Sequence, residues 1–135
     1  MGTTAPIQDI SGYTNIVAKD VAAVASNGAD TLYQPICRAQ YDGAVRAVYW
    51  TVSASQNTDA TNYRTLKLVN LGSAAAGTVV IASLALSATK AANIPHALTL
   101  GSVVTVSAGD LLVYVTTSTG SGVAVNAAVV QVQLR

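Results

Sequence analysis

The 135 residues are 51% hydrophobic and only 10% charged, with seven Lys and Arg against six Asp, no Glu and a formal net charge of +1. An ordinary soluble domain is about 25% charged, so much of this surface has to be Ser, Thr, Asn, Gln and Ala. The balance argues against a basic nucleic-acid stripe, and no run of about 18 apolar residues exists to span a bilayer. A weakly charged surface repels its own copies poorly, which favours self-association or incorporation into a larger assembly.

Residues 1–20 carry isolated apolar side chains at Ile7, Ile10, Tyr13, Ile16 and Val17 among Gly, Thr, Pro and Asp. Ile10, Tyr13 and Val17 could share one helical face, but Gly12 costs a helix about 1 kcal/mol and Thr14 and Asn15 are poor formers. The expectation is an extended N-terminal arm over 1–20 that orders by lying on another surface; a loose terminus is the plain alternative. Residues 1–10 lack the basic start and apolar run of a secretory signal, so the chain is expected to act without export.

From residue 21 onward the pattern is short β-prone runs divided by turn chemistry, one domain over 21–135. Residues 21–25 end at Ser26-Asn27-Gly28, and residues 31–39 contain Pro35, which suits a sheet edge or a bulge because it cannot donate to a ladder. Residues 41–71 are the centre of the pattern: strand, polar loop, strand. Val48, Trp50 and Val52 share one face of the first arm, and Leu66 and Leu68 share one face of the second, with Lys67 opposite. Both alternating sets in 78–86 are fairly apolar, so that strand is expected to be central or covered at a subunit contact, with Leu84 inward. A turn at Ala108-Gly109-Asp110 leads into Leu111 and Val113, and a turn at Gly120-Ser121-Gly122 precedes a last strand with Val130 and Val132 inward. The expected core anchors are therefore Val48, Trp50, Val52, Leu66, Leu68, Leu84, Leu111, Val113, Val130 and Val132. No 3.6-residue period is long enough for a core helix, and eight or nine strands at this spacing predict an all-β sandwich or jelly roll.

Chemistry-bearing residues are sparse. A zinc site needs about four ligands, and the sole His96 has only Cys37 as a soft companion; Cys37 itself reads as an inert, buried thiol. No Gly-x-Ser-x-Gly elbow is present. Asn57, Asp59 and Asn62 share a loop without the spacing of a calcium signature. The expectation is a protein without catalytic, metal or cofactor residues. Trp50 reads as a core anchor, whereas Tyr13 and Tyr33 suit an interface. Arg46, Arg64 and Lys67 read as solvated outer-face charges or as partners across a subunit contact.

Across most of the chain after residue 39 the pattern resembles the small all-β decoration, or cement, proteins of tailed-bacteriophage capsids. The residues that carry the resemblance are Asp42-Gly43 with Val45 and Val48, Thr61-Asn62-Tyr63-Arg64-Thr65-Leu66, Leu68-Val69-Asn70, the apolar run 79–86 after Gly77, Ala108-Gly109-Asp110-Leu111-Leu112, and Gly120-Ser121-Gly122 before residues 129–134. The resemblance implies a homotrimer on the outer capsid surface at local three-fold positions, made in the host cytoplasm, with the major capsid protein as its partner and neither substrate, nucleic acid nor membrane. Contacts with the capsid or between subunits then fall to Ile7, Ile10, Tyr13, Ile16, Val17 and Tyr33. A lectin-like or receptor-binding module of a fibre or head appendage is the alternative, and a cupin-like enzyme a third that lacks metal ligands.

Overall fold

The computed structural model of the chain describes residues 15–25 and 32–135. Among these the regular structure is all β, in ten strands: β1 (Asn15–Val21), β2 (Leu32–Arg38), β3 (Gly43–Val52), β4 (Tyr63–Asn70), β5 (Val79–Ala85), β6 (His96–Ala97), β7 (Thr99–Leu100), β8 (Thr105–Val106), β9 (Leu111–Thr119) and β10 (Ala128–Leu134). They form two antiparallel five-stranded sheets, ordered β1-β10-β3-β6 with β8 also on β3, and β2-β9-β4-β5-β7. First pairs with last and second with second-last, so the chain is a long hairpin rolled over on itself. That nesting is a jelly roll.

The inner faces meet where strand alternation brings apolar residues into register. In the first sheet Val48, Trp50 and Val52 lie opposite Val132, Val130 and Ala128, and all six are buried. In the second, Leu66 and Leu68 lie opposite Thr116 and Tyr114 on one side and Leu84 and Ala82 on the other. All of these but the buried polar Thr116 join one cluster with Ile36, Ile81, Leu86, Leu98 and Leu112, with Leu84 half-buried at its margin.

The two open sides of the sandwich are finished differently. Residues 96–106 change sheets repeatedly: β6 pairs β3, β7 pairs β5, and β8 returns to β3. On the opposite side the Gln34 side chain accepts from the Ala22 amide at 2.7 Å and donates to the Ala22 carbonyl at 3.4 Å, joining the ends of β1 and β2. β1 pairs with β10 along all seven of its residues. The arm boundary expected at residue 20 therefore falls inside a sheet strand, because Asn15 to Asp20 find ladder partners that Lys19 and Asp20 disguise in the sequence.

Of the two core anchors expected on β9, Val113 is buried and Leu111 half-buried, but Leu112, Tyr114 and Thr116 are the β9 residues that point between the sheets. Val113 is buried on the outer face of the second sheet with Val69 and Val115, and Leu111 is half-buried beside them. The run 111–115 is apolar at every position, so its alternation does not reveal which face is the inner one.

Candidate interaction surfaces

The sandwich has two ends, and hydrogen bonds fix the loops at each. At the end where β3 starts and β4 finishes, Asp42 Oδ1 accepts from the Ala108 amide at 2.8 Å. Arg38 Nη1 donates to the Gly109 carbonyl at 2.6 Å. Asn70 Nδ2 donates to Asp110 Oδ2 at 2.9 Å, and the same oxygen accepts from the Ser107 amide at 2.8 Å. Asn70 Oδ1 in turn accepts from the Gly72 amide at 2.8 Å. Gly109 sits at φ 93°, a left-handed conformation in which a Cβ is strained. The Asn70 and Ser107 donors hold the Asp110 carboxyl below the ordinary carboxylate range.

At the far end Asn62 Oδ1 accepts from the Ser121 amide at 2.9 Å. Asp59 Oδ1 accepts from the amides of Asn62 and Thr61, and those donors lower its pKa. Gly120 is required there twice over: its φ is 62°, and a Cβ would run into Asn62 Oδ1.

Arg64 corrects the sequence reading. It was expected among outer-face charges, yet it is 1% exposed, on the inward row of β4. Its Nε donates to the Val123 carbonyl at 3.2 Å and Nη2 to the Ala25 carbonyl at 3.0 Å. A guanidinium reaches several carbonyls at once in a fixed plane, so it can bridge two loops from beneath. Gln56, also 1% exposed, was missed as well. Its Nε2 donates to the carbonyls of Asn57 and Ala124, both at 2.7 Å, and its Oε1 accepts from the Asn126 amide at 2.8 Å. Nothing in the polar run around Gln56 distinguishes it from its exposed neighbours.

A depression of about 340 Å³ lies over this end, lined by Ser55, Gln56, Asn57, Gly122, Val123, Ala124 and Asn126. It is the natural place for a sugar in the lectin-like alternative. Gln56 and Asn126, however, direct their side-chain amides at backbone carbonyls, Gln56 at Asn57 and Ala124 and Asn126 at Ala54 and Ser55, so that each reaches across to the other loop. They fasten the loops rather than face a ligand.

Within the core, Trp50 Nε1, the Tyr114 hydroxyl and Thr116 Oγ1 are buried without a well-formed hydrogen bond. Tyr114 and Trp50 are nonetheless close enough to interact, and burial pushes the tyrosine hydroxyl far above its ordinary range. His96 packs against Trp50 with ring centroids 6.2 Å apart, and its Nε2 lies 2.9 Å from the Ala91 carbonyl. Cys37 is half-buried, and desolvation raises its pKa, which keeps it in the thiol form. Among the described residues no three of His, Cys, Asp and Glu are grouped as metal ligands.

The expected interface residues are dispersed. Ile7, Ile10 and Tyr13 lie outside the described residues. Ile16 is 56% exposed on β1, whereas Val17 turns the other way and packs against the core. Tyr33 is 60% exposed and stands opposite Val115 on the outer face of the second sheet. Val79 and Val80, in the strand expected to be central or covered at a subunit contact, are exposed in the chain by itself, as are Leu100 and Val103, which sequence reasoning did not single out.

No family model matches the chain, and no curated protein matches it. One solved structure is similar, that of infectious bursal disease virus, Gx strain, with a TM-score of 0.37 and 12% identity over 90% of this chain. The chain spans 31% of the length of that neighbour. A likeness this distant carries no argument about function.

Proposed function

We propose that the protein is a non-enzymatic structural component of a tailed-phage head, a decoration protein that binds the outer surface of the expanded capsid as a homotrimer at local three-fold positions. Jelly rolls serve capsids, lectins and cupins alike, so the fold alone does not decide among them. The observation that carries the reading is how the resembling segments meet. Asp42 is joined to Ala108, Asn70 to Asp110, and Asn62 to Ser121. The segments of the spaced pattern thus meet in two sets of supporting turns, one at each end of the sandwich.

The physical case is about joints under load. Packaged genome strains the seams of a shell, and a protein that binds only the expanded lattice stabilises that lattice by mass action. Three linked copies engage three equivalent sites, so weak individual contacts become a firm attachment through effective concentration. A surface with few charges suits this, since little charge has to be desolvated on docking. Cosedimentation of purified protein with expanded heads tests the proposal, with unassembled coat subunits as the control. Binding to the heads alone is expected.

A further inference from the structure

The outer face of the second sheet is closed where no described element lies over it. Val113 points away from the sandwich yet is 1% exposed, and Val115 on the same row of β9 is 3% exposed. The register neighbours of Val113 are Pro35 and Val69, whose side chains stand no taller than its own and cannot roof it. Val80 is the comparison: it lies on the same face, opposite Val69, and is 41% exposed. An outward valine on an open sheet keeps much of its surface, so Val113 and Val115 have a cover that Val80 lacks. This burial is that of the chain by itself, and the cover is therefore a segment of the same chain.

Elimination narrows the segment. Among the described residues every strand belongs to one of the two sheets, and the first sheet lies against the opposite face. The 72–77 loop is fastened at the strand ends, by the Leu111 amide on the Gly72 carbonyl at 3.1 Å and the Gly77 amide on the Leu71 carbonyl at 2.7 Å. Val115 stands farther along β9 than Leu111 by about 13 Å. At the far end Asn62 and Gln56 tie the loops to each other, and Lys90 and Asn93 bond back to Gln56 and Val52. Residues 26–31 carry Ala29 as their sole apolar side chain.

Residues 1–14 are left, with Ile7, Ile10 and Tyr13 among them and Asp9 as their one charged side chain. They lead into Asn15, which pairs with Leu134, and Leu134 pairs with Val45 near the start of β3. That is the end of the sandwich at which Leu111 opens β9. An extended segment of this length spans up to about 46 Å, enough to round the β2 edge and run along the row from Leu111 to Val115. Lys67 stands beside Val115 on that face, so Asp9 has a counter-charge there. We infer that residues 1–14 dock on the outer face of the second sheet of their own chain, Ile7, Ile10 and Tyr13 closing over Val69, Val113 and Val115 as a third layer. Burial of the apolar row offsets the entropy lost in ordering the segment. These side chains, which the sequence assigns to capsid or subunit contacts, then belong to the fold itself, and the inference stands apart from the proposed function.

The test is the rate at which a thiol reagent modifies a cysteine placed on this face, in the full chain carrying Cys37→Ala. Val113→Cys is expected to react at least about tenfold more slowly than Val80→Cys, because the reagent reaches it only when the cover opens. Adding Ile7→Ser, Ile10→Ser and Tyr13→Ser is expected to speed Val113→Cys by about tenfold or more while Val80→Cys keeps its rate. Where the triple change also speeds Val80→Cys, the fold has loosened as a whole and Ile10→Ser alone decides, with a smaller acceleration confined to Val113→Cys. Ile7→Val with Ile10→Val is expected to keep the slow rate. Protection is also expected to survive dilution, since the cover is part of the same chain. A Val113→Cys that reacts as fast as Val80→Cys, protection that persists through the Ser changes, or protection lost on dilution would each overturn the inference, the last by assigning the cover to another copy. Head binding is read separately. A protected Val113→Cys in a protein that ignores heads removes the capsid proposal alone, whereas heads bound by a protein whose Val113→Cys is unprotected remove this inference alone.

Discussion

Asn70 ties the end of β4 to the turn before β9: its amide nitrogen donates to Asp110 Oδ2 at 2.9 Å while its oxygen accepts from the Gly72 amide at 2.8 Å. Asn70 is itself 9% exposed, so these bonds are poorly replaced by water. Asn70→Ala is expected to lower stability by about 1–3 kcal/mol, the usual cost of leaving buried polar partners unmet. Urea unfolding measures it, and Asn70→Asp is expected to be no better, because it sets a second carboxylate against Asp110.

That turn and the Asp59 loop at the far end make stability depend on pH. Asp110 and Asp59 have folded-state pKa values below their ordinary ones, held down by amide donors. A carboxyl with a lowered folded pKa contributes stability above its unfolded pKa and loses that contribution as pH falls through the folded value. Melting temperature is therefore expected to fall in the acid range below about pH 4. Asp110→Asn with Asp59→Asn is expected to flatten that fall.

Arg64 holds two loops from within the sandwich. Arg64→Lys keeps the charge but offers a single ammonium in place of a planar fork, and is expected to cost about 2 kcal/mol or more. Proteolysis confined to residues 22–25 or 120–125 in the variant would show that the bridge positions those loops.

The core separates size from polarity. Trp50 is fully buried, and Trp50→Ala is expected to cost about 3–5 kcal/mol. Tyr114→Phe removes a buried hydroxyl that has no well-formed hydrogen bond and is expected to change stability by less than about 1 kcal/mol. Denaturant midpoints for the pair distinguish the two effects.

Strand positions were legible wherever turn chemistry bounded an alternating run. The segments around Asp42-Gly43, residues 56–62 and Gly120-Ser121-Gly122 bracket β3, β4, β9 and β10 because Gly, Asn and Asp tolerate the backbone that turns require. Connectivity was less legible, since the pairing of β1 with β10 joins segments over a hundred residues apart and leaves no local trace. Faces were legible where polar and apolar residues alternate, as at Val48, Trp50 and Val52, and ambiguous where both sets are apolar, as at Leu111 to Val115. Arg64 was assigned to the wrong face and Gln56 was passed over because a buried polar residue betrays itself only through partners supplied by distant loops.

The proposed bracing of a viral shell is read by quantitative binding of the protein to purified heads that lack it. Saturable binding to expanded heads is expected, at a fixed ratio of trimers to local three-fold positions, with weaker or no binding to unexpanded heads. Binding that never saturates, or none at all, would contradict it.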